Sequence, residues 1–259
     1  TLDGDHTIGN INFTVNNNRT YIINSGTPST SVLNLQVSSG TPSVNVIAGA
    51  SAGFLTINAP VDGTQGLTKA GIGTLVLGGI NTYTGTTTLS LGNLVVNGSL
   101  ASGSPVIVNN TGTQPGLGGF GTINSGVTLN SGGTISPGNI TLVGTAPAPQ
   151  VGTLTAGSLL WNGGGNMSFQ LGDPSSAANS DELALNGALT AGTAGAFNFT
   201  FTQNTGFSTS ASYTLVTFTS SSGFSASDFG GAPSGMAFQL GSSDLSLVPV
   251  PEPATLALL

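Results

Sequence analysis

The sequence predicts an all-β chain stacked as a β-solenoid, and three observations carry that expectation. Short β-branched and aromatic runs recur along all 259 residues, each closed by Gly, Asn or Pro. No window shows a helical period, and helix start and stop signals frame no amphipathic stretch. A Gly-led motif returns as Gly53-Phe54-Leu55-Thr56-Ile57, Gly73-Thr74-Leu75-Val76-Leu77, Gly92-Asn93-Leu94-Val95-Val96, Gly121-Thr122-Ile123-Asn124 and Gly152-Thr153-Leu154-Thr155. Its spacings are 20, 19, 29 and 31 residues. About 20 residues suffice for one solenoid turn, and the longer intervals fit turns with insertions. A sandwich or jelly roll competes, because it too carries many closely spaced strands.

In chain order the expected strands begin with Ile8–Val15, Ser31–Val37, Val44–Ala48, Phe54–Asn58 and Thr74–Leu77. Thr86–Leu91, Leu94–Asn97, Val106–Asn109 and Val127–Asn130 come next. Gly and Asn suit the corners between them, since both tolerate left-handed backbone angles. The stretch 145–150, reading TAPAPQ, is the expected boundary or loop insertion. It divides a solenoid over 1–145 from further solenoid turns and a β cap or small sandwich over 146–248, with a tail over 249–259. Beyond the boundary come Thr153–Thr155, Met167–Leu171, Leu183–Asn186, Phe197–Thr202, Tyr213–Phe218 and Leu245–Val248. Phe197, Phe199 and Phe201 alternate with Asn198, Thr200 and Thr202, the pattern of a strand buried on one face. The Ser-rich stretches Thr205–Ser212 and Ser220–Ser227 read as surface loops.

Composition excludes several function classes. Arg19 and Lys69 are the only basic residues besides His6, against nine carboxylates, for a net charge of −7. Two cations cannot neutralise a phosphate backbone, so nucleic acid is not a partner. No run of about 18 apolar residues exists to cross a bilayer as a helix. At 4% charged and 37% hydrophobic residues, this is not a charged disordered chain. With no cysteine there is no disulfide framework and no thiolate metal site. Charged residues normally protect exposed strand edges, so their scarcity points to self-association, with a homopolymer as the expected assembly. The sequence begins at Thr1 rather than methionine, which accords with removal of an export signal.

Two segments resemble known families. Gly66–Gly98, reading GLTKAGIGTLVLGGINTYTGTTTLSLGNLVVNG, resembles the autotransporter-associated β-strand repeat of bacterial passenger domains. It matches that family's G-L-T-K-x-G-x-G-T-L-x-L run, its N-x-Y-T-G-x-T-x-L run and its G-x-L-x-V-N-G close. Gly116–Gly138 and Gly152–Leu171 are similar to the segments downstream of such repeats in those proteins. The resemblance covers roughly residues 50–190 and implies a right-handed parallel β-helix outside a bacterium, with no particular activity. The second segment is Val250, Pro251, Glu252, Pro253, Ala254, Thr255, Leu256, Ala257, Leu258 and Leu259. It resembles the PEP-CTERM sorting signal of exopolysaccharide-producing Gram-negative bacteria. In that family Pro-Glu-Pro precedes an apolar span and an Arg-rich tail; here the sequence stops within the apolar span. This resemblance implies processing by an exosortase-type protease, then anchoring to or release from the cell surface.

The candidate site residues are few. His6 lies in Asp3-Gly4-Asp5-His6, where two hard oxygens could hold calcium, though an exposed loop is the plainer reading. Asp173, Asp181 and Glu182 form the densest acidic cluster, read as solvated corner carboxylates with calcium as the alternative. Polysaccharide lyases and hydrolases on β-helices pair such carboxylates with a base, but Arg19 and Lys69 are distant in sequence. Trp161, Tyr21, Tyr83 and Tyr213 could stack on sugars, yet they do not cluster, so packing roles are expected. Seven Asn-x-Ser/Thr sequons, from Asn12 to Asn198, are expected by chance in a chain so rich in these residues.

The expectation is therefore no enzyme, no bound cofactor and no catalytic residues. The chain reads as a non-catalytic extracellular structural protein, displayed on the cell surface or assembled into biofilm-matrix fibres, with exopolysaccharide a candidate partner. An adhesin or glycan-binding module is the alternative.

Overall fold

The computed structural model describes residues 1–15, 20–26, 31–48, 53–109, 116–138, 150–176 and 179–251. Among them there is no α-helix; a 3-10 turn lies at Ala226–Asp228, and the regular structure is otherwise almost entirely strand. Before Met236, successive strands do not pair with one another. Up to the C-terminal hairpin each pairs in parallel with a strand one repeat away, so the chain visits three tracks in rotation and adds one strand to each.

One track is a nine-stranded sheet running from Thr20–Ile23 through Phe54–Ile57, Thr74–Leu77, Asn93–Val96 and Gly116–Gly119. It continues through Thr134–Pro137, Asn166–Leu171 and Phe197–Gln203 to Phe229–Gly230. Its register places Tyr21, Leu55, Leu75, Leu94, Leu117, Ile135, Met167 and Phe199 in one file. All but Tyr21 are buried. A strand shows alternate residues to alternate faces, so equal registers stack like on like. Each fully buried aliphatic side chain in such a file contributes about 1.5–3 kcal/mol.

The other two tracks begin with His6–Ile8 and with Ile11–Val15. The single run expected over 8–15 is thus two strands, with Gly9 and Asn10 at the corner between them. These tracks merge further on, because Thr122–Leu129 and Thr153–Trp161 are long enough to serve both. The first half of Thr122–Leu129 pairs with Ser99–Leu100 and its second half with Val106–Val108. Residues from all three tracks form one contiguous apolar core, from Leu33 to Leu247.

The repeat is only partly what its spacing suggested. Motifs at Gly53, Gly73 and Gly92 do stack, since Phe54 pairs with Thr74 and Thr74 with Asn93. Those at Gly121 and Gly152 belong to another track, where Thr122 pairs with Ser99 and Leu154 with Leu183. On the first track the place after Asn93 is taken by Gly116. The same local pattern serves either track because both need an inward apolar residue after a corner glycine.

The sheets run on past the expected boundary, as Thr134–Pro137 pairs with Asn166–Leu171; residues 139–149 lie outside the described set. Thr205–Ser212 is irregular as expected, whereas Ser220–Ser222 is a strand pairing with Ala188–Ala191. At the C-terminal end the pattern changes. Tyr213–Thr217 pairs antiparallel with Asp244–Pro249, which pairs antiparallel with Met236–Leu240. Phe238 of this hairpin packs 4.9 Å from Phe199 and 5.7 Å from Phe229 between ring centroids.

Candidate functional site

The interior holds two ionisable groups that matter. Lys69 sits on Leu67–Ala70 in register with inward residues and is fully buried. Its ammonium donates to the carbonyl oxygens of Ala70, Gly71 and Leu91 at 2.8, 2.7 and 3.0 Å. Three N–H groups meet three acceptors, which is how a buried ammonium is tolerated. Burial nonetheless pulls it down to about 7. The sequence carried a signal for this, because Leu67 and Lys69 share parity and must share a face.

Asp181 corrects the reading of a solvated corner carboxylate. It is buried, Oδ1 accepting from the Gly152 amide at 2.9 Å and Oδ2 from the Gln170 amide at 2.7 Å. Burial pushes its carboxyl up to about 7, although both amide bonds oppose that shift. Its sequence neighbours do not join it. Glu182 faces outward and accepts from the Thr217 hydroxyl at 3.0 Å, while Asp173 caps its own turn through the Ser175 amide at 2.9 Å. That last bond holds the Asp173 carboxyl below its usual range.

Beside Asp181 and Glu182 lies a cleft of about 160 Å³ bordered by Pro174, Ser180, Tyr213 and Thr214. Both Asp181 oxygens are committed to backbone amides, so the cleft offers hydroxyls and the Glu182 carboxylate rather than a converging acidic set. Among the described residues no group of three or more His, Asp and Glu side chains is arranged to hold a metal. Near the N-terminus, His6 Nε2 lies 2.7 Å from Asp3 Oδ1, and Asp5 accepts from the Val32 amide at 3.0 Å. The His6 contact lowers the Asp3 carboxyl. Arg19 and residues 252–259 of the expected sorting tail fall outside the described residues; Val250 is half exposed.

The four candidate stacking rings are scattered. Trp161 is fully buried, its Nε1 donating to the Gly165 carbonyl at 3.1 Å, with Phe197 and Phe199 edge-on at 5.2 and 5.4 Å. Tyr83 is buried with its hydroxyl 2.7 Å from Thr87 Oγ1, which in turn meets Ser104 Oγ at 3.1 Å. Tyr213 is buried and binds the Ser208 amide and the Gly172 carbonyl. Tyr21 alone is exposed, against Phe13. These rings pack the stack and form no outer stripe.

What sequence reasoning missed is a corner ladder of asparagines. Asn130 Nδ2 donates to Asn109 Oδ1 at 2.7 Å, and Asn162 Nδ2 to Asn130 Oδ1 at 2.6 Å. The Asn162 oxygen then accepts from the Thr193 amide at 2.8 Å. Asn45 with Asn12, and Asn58 with Asn24, repeat the arrangement elsewhere.

No family model matches the chain. Two curated proteins resemble part of it. Over 94 residues, 36% of the chain, it is 42% identical to the adhesin BmaC autotransporter of Brucella suis biovar 1 (strain 1330). Over 103 residues, 40% of the chain, it is 39% identical to an extracellular serine protease of Serratia marcescens. The chain spans only 2% and 9% of the lengths of these relatives. The local similarity supports an autotransporter-like relation for part of the chain.

Proposed function

We propose that the chain is a non-catalytic structural segment carried outside a Gram-negative cell: a right-handed parallel β-helix serving as a rigid, nearly uncharged rod. The observation that carries this reading is the stacking itself, nine parallel strands deep on one track and in register with a single core. In such an architecture the backbone ladder supplies stiffness, and no converging side-chain chemistry is required. The local likeness to an adhesin autotransporter and to an extracellular protease supports export. In this reading the segment from Val250 to Leu259 is a PEP-CTERM-type sorting signal handled by an exosortase-type protease.

Protease shaving of intact source cells, followed by immunoblotting, tests the proposal. Loss of the protein without cell lysis is expected; protection until lysis would place it inside and overturn the reading. A second reading, adhesion to exopolysaccharide, is favoured by the likeness to a named adhesin and by the hydroxyl- and amide-rich outer surface. Co-sedimentation with exopolysaccharide from the source organism separates the two: a bare rod stays in the supernatant.

A further inference from the structure

Between Asn166–Leu171 and Glu182–Leu185 the chain makes an outer turn that carries its one Asp-Pro peptide bond, Asp173–Pro174. A proline nitrogen belongs to a tertiary amide and leaves as a more basic amine than other peptide nitrogens. An aspartate before it can reach its own main-chain carbonyl with its carboxylate, an attack within one residue. The fold holds each part of this bond. The Ser175 amide donates to Asp173 Oδ1 at 2.9 Å, closing a ring that contains the Asp173–Pro174 bond. The Ser175 contacts keep the carboxyl below its usual range and therefore ionised, as a nucleophile must be. Asn179 Nδ2 donates to the Asp173 carbonyl oxygen at 3.1 Å, the atom on which charge develops when that carbonyl is attacked. The Asn179 amide is itself tied to the Ser176 carbonyl at 3.0 Å. Gly172 is pinned at both ends, its amide donating to Ser180 Oγ at 3.1 Å and its carbonyl accepting from the Tyr213 hydroxyl at 3.2 Å. Gly206, at φ of +88°, lies so close that an added Cβ would stand 2.8 Å from the Asp173 Cβ. Pro174 borders the cleft beside Glu182, and Asp173 to Ser176 are exposed, so water reaches the bond.

We propose that this turn is a self-cleavage site, at which the Asp173 carboxylate splits the Asp173–Pro174 bond. A carboxylate oxygen of Asp173 bonds to its own main-chain carbonyl carbon, and the Asn179 side-chain amide steadies the oxyanion. The C–N bond then breaks with its electron pair on the Pro174 nitrogen, which takes a proton from water and departs as an amine. Asp173 is left as a cyclic anhydride. The hydroxide from that water opens it to a side-chain and a terminal carboxyl group, and one of these passes its proton to the amine. One water is consumed in all. The reaction runs once per chain and turns over no outside substrate, so the structural reading stands beside it. The two pieces do not part, because strands on either side of the cut pair with each other. Asn166–Leu171 pairs with Phe197–Gln203, and Thr153–Trp161 with both Glu182–Leu185 and Ala188–Ala191. The cut chain stays one rod.

Prolonged incubation of the purified chain in weakly acidic buffer, read by intact mass and denaturing gels, tests it. Two fragments that meet at Asp173 and Pro174 are expected, while the native elution volume stays that of the uncut chain. Asp173→Asn should abolish the cut, and Asn179→Ala should slow it at least about tenfold. The same chain unfolded in urea should also cut at least about tenfold more slowly, because the Ser175 and Asn179 contacts are gone. Circular dichroism confirms that each variant keeps its β signal, and Asn179→Ser serves if the alanine variant does not. A chain that stays whole overturns the proposal. Equal rates in the folded and unfolded chain would overturn it in favour of ordinary Asp-Pro hydrolysis. Undiminished cutting of Asp173→Asn would assign the cut to a contaminating protease, and an unchanged rate in Asn179→Ala would remove the placed donor; either result overturns the site.

Discussion

The Lys69 ammonium donates to the Leu91 carbonyl oxygen across 3.0 Å and so ties two levels of the stack through one buried side chain. Leu91 closes the corner of the level that pairs with Lys69's own strand. Lys69→Ala leaves three carbonyls without that donor and opens a cavity, so a loss of about 2–4 kcal/mol is expected in urea unfolding. Lys69→Met fills the volume but not the bonds and should lose less. An unchanged midpoint for the alanine variant would show the corner to be solvated instead.

Stability should pass through a minimum near neutral pH. Asp181 goes from an ordinary 3.8 to about 7 on burial, so the folded chain holds a proton there that the unfolded chain releases. Its contribution is fully present below about 3.8 and is lost as pH rises to about 7. Lys69 goes from 10.5 down to about 7, so the folded chain gives up a proton that the unfolded chain keeps, and stability climbs from about 7 to about 10.5. Melting temperatures across pH 4 to 10 check this. Asp181→Asn should flatten the acidic limb and Lys69→Met the alkaline one.

Trp161→Ala should cost about 3–5 kcal/mol, because the ring is fully buried between Phe197 and Phe199 and its indole N–H is satisfied. Trp161→Phe keeps most of the packing and loses only the bond to Gly165, with a cost of about 1 kcal/mol. Denaturant midpoints rank the three proteins. Similar losses for both variants would assign the weight to the hydrogen bond.

Gly92 has φ of +67°, and a Cβ there would press on the Gly73 carbonyl of the level beneath. Gly92→Ala is expected to destabilise by about 2 kcal/mol or more. Gly4→Ala, where nothing lies within 4 Å of the added carbon, should be near neutral. Paired thermal melts read the difference.

Strand positions were largely legible because inward residues are apolar and alternate; Thr74–Leu77 falls where the pattern put it. Track assignment was not, since Gly121 and Gly73 begin the same local motif yet stand in different files. Only the corner lengths distinguish them, and corners carry no periodicity. Burial of charge was half legible. Lys69 follows from parity with Leu67, whereas Asp181 precedes its strand, and its burial comes from a pair of amides, Gly152 and Gln170, that lie 29 and 11 residues away.

The asparagine ladder and the strand ladders point the same way, along the stacking direction. Tension applied to the chain ends therefore loads levels in series and peels them one at a time. Registers of 18 to 34 residues per level mean that each lost level releases roughly 60–120 Å of slack. Such a rod behaves as a shock absorber: stiff under small loads, then yielding in discrete lengths while the levels below stay folded.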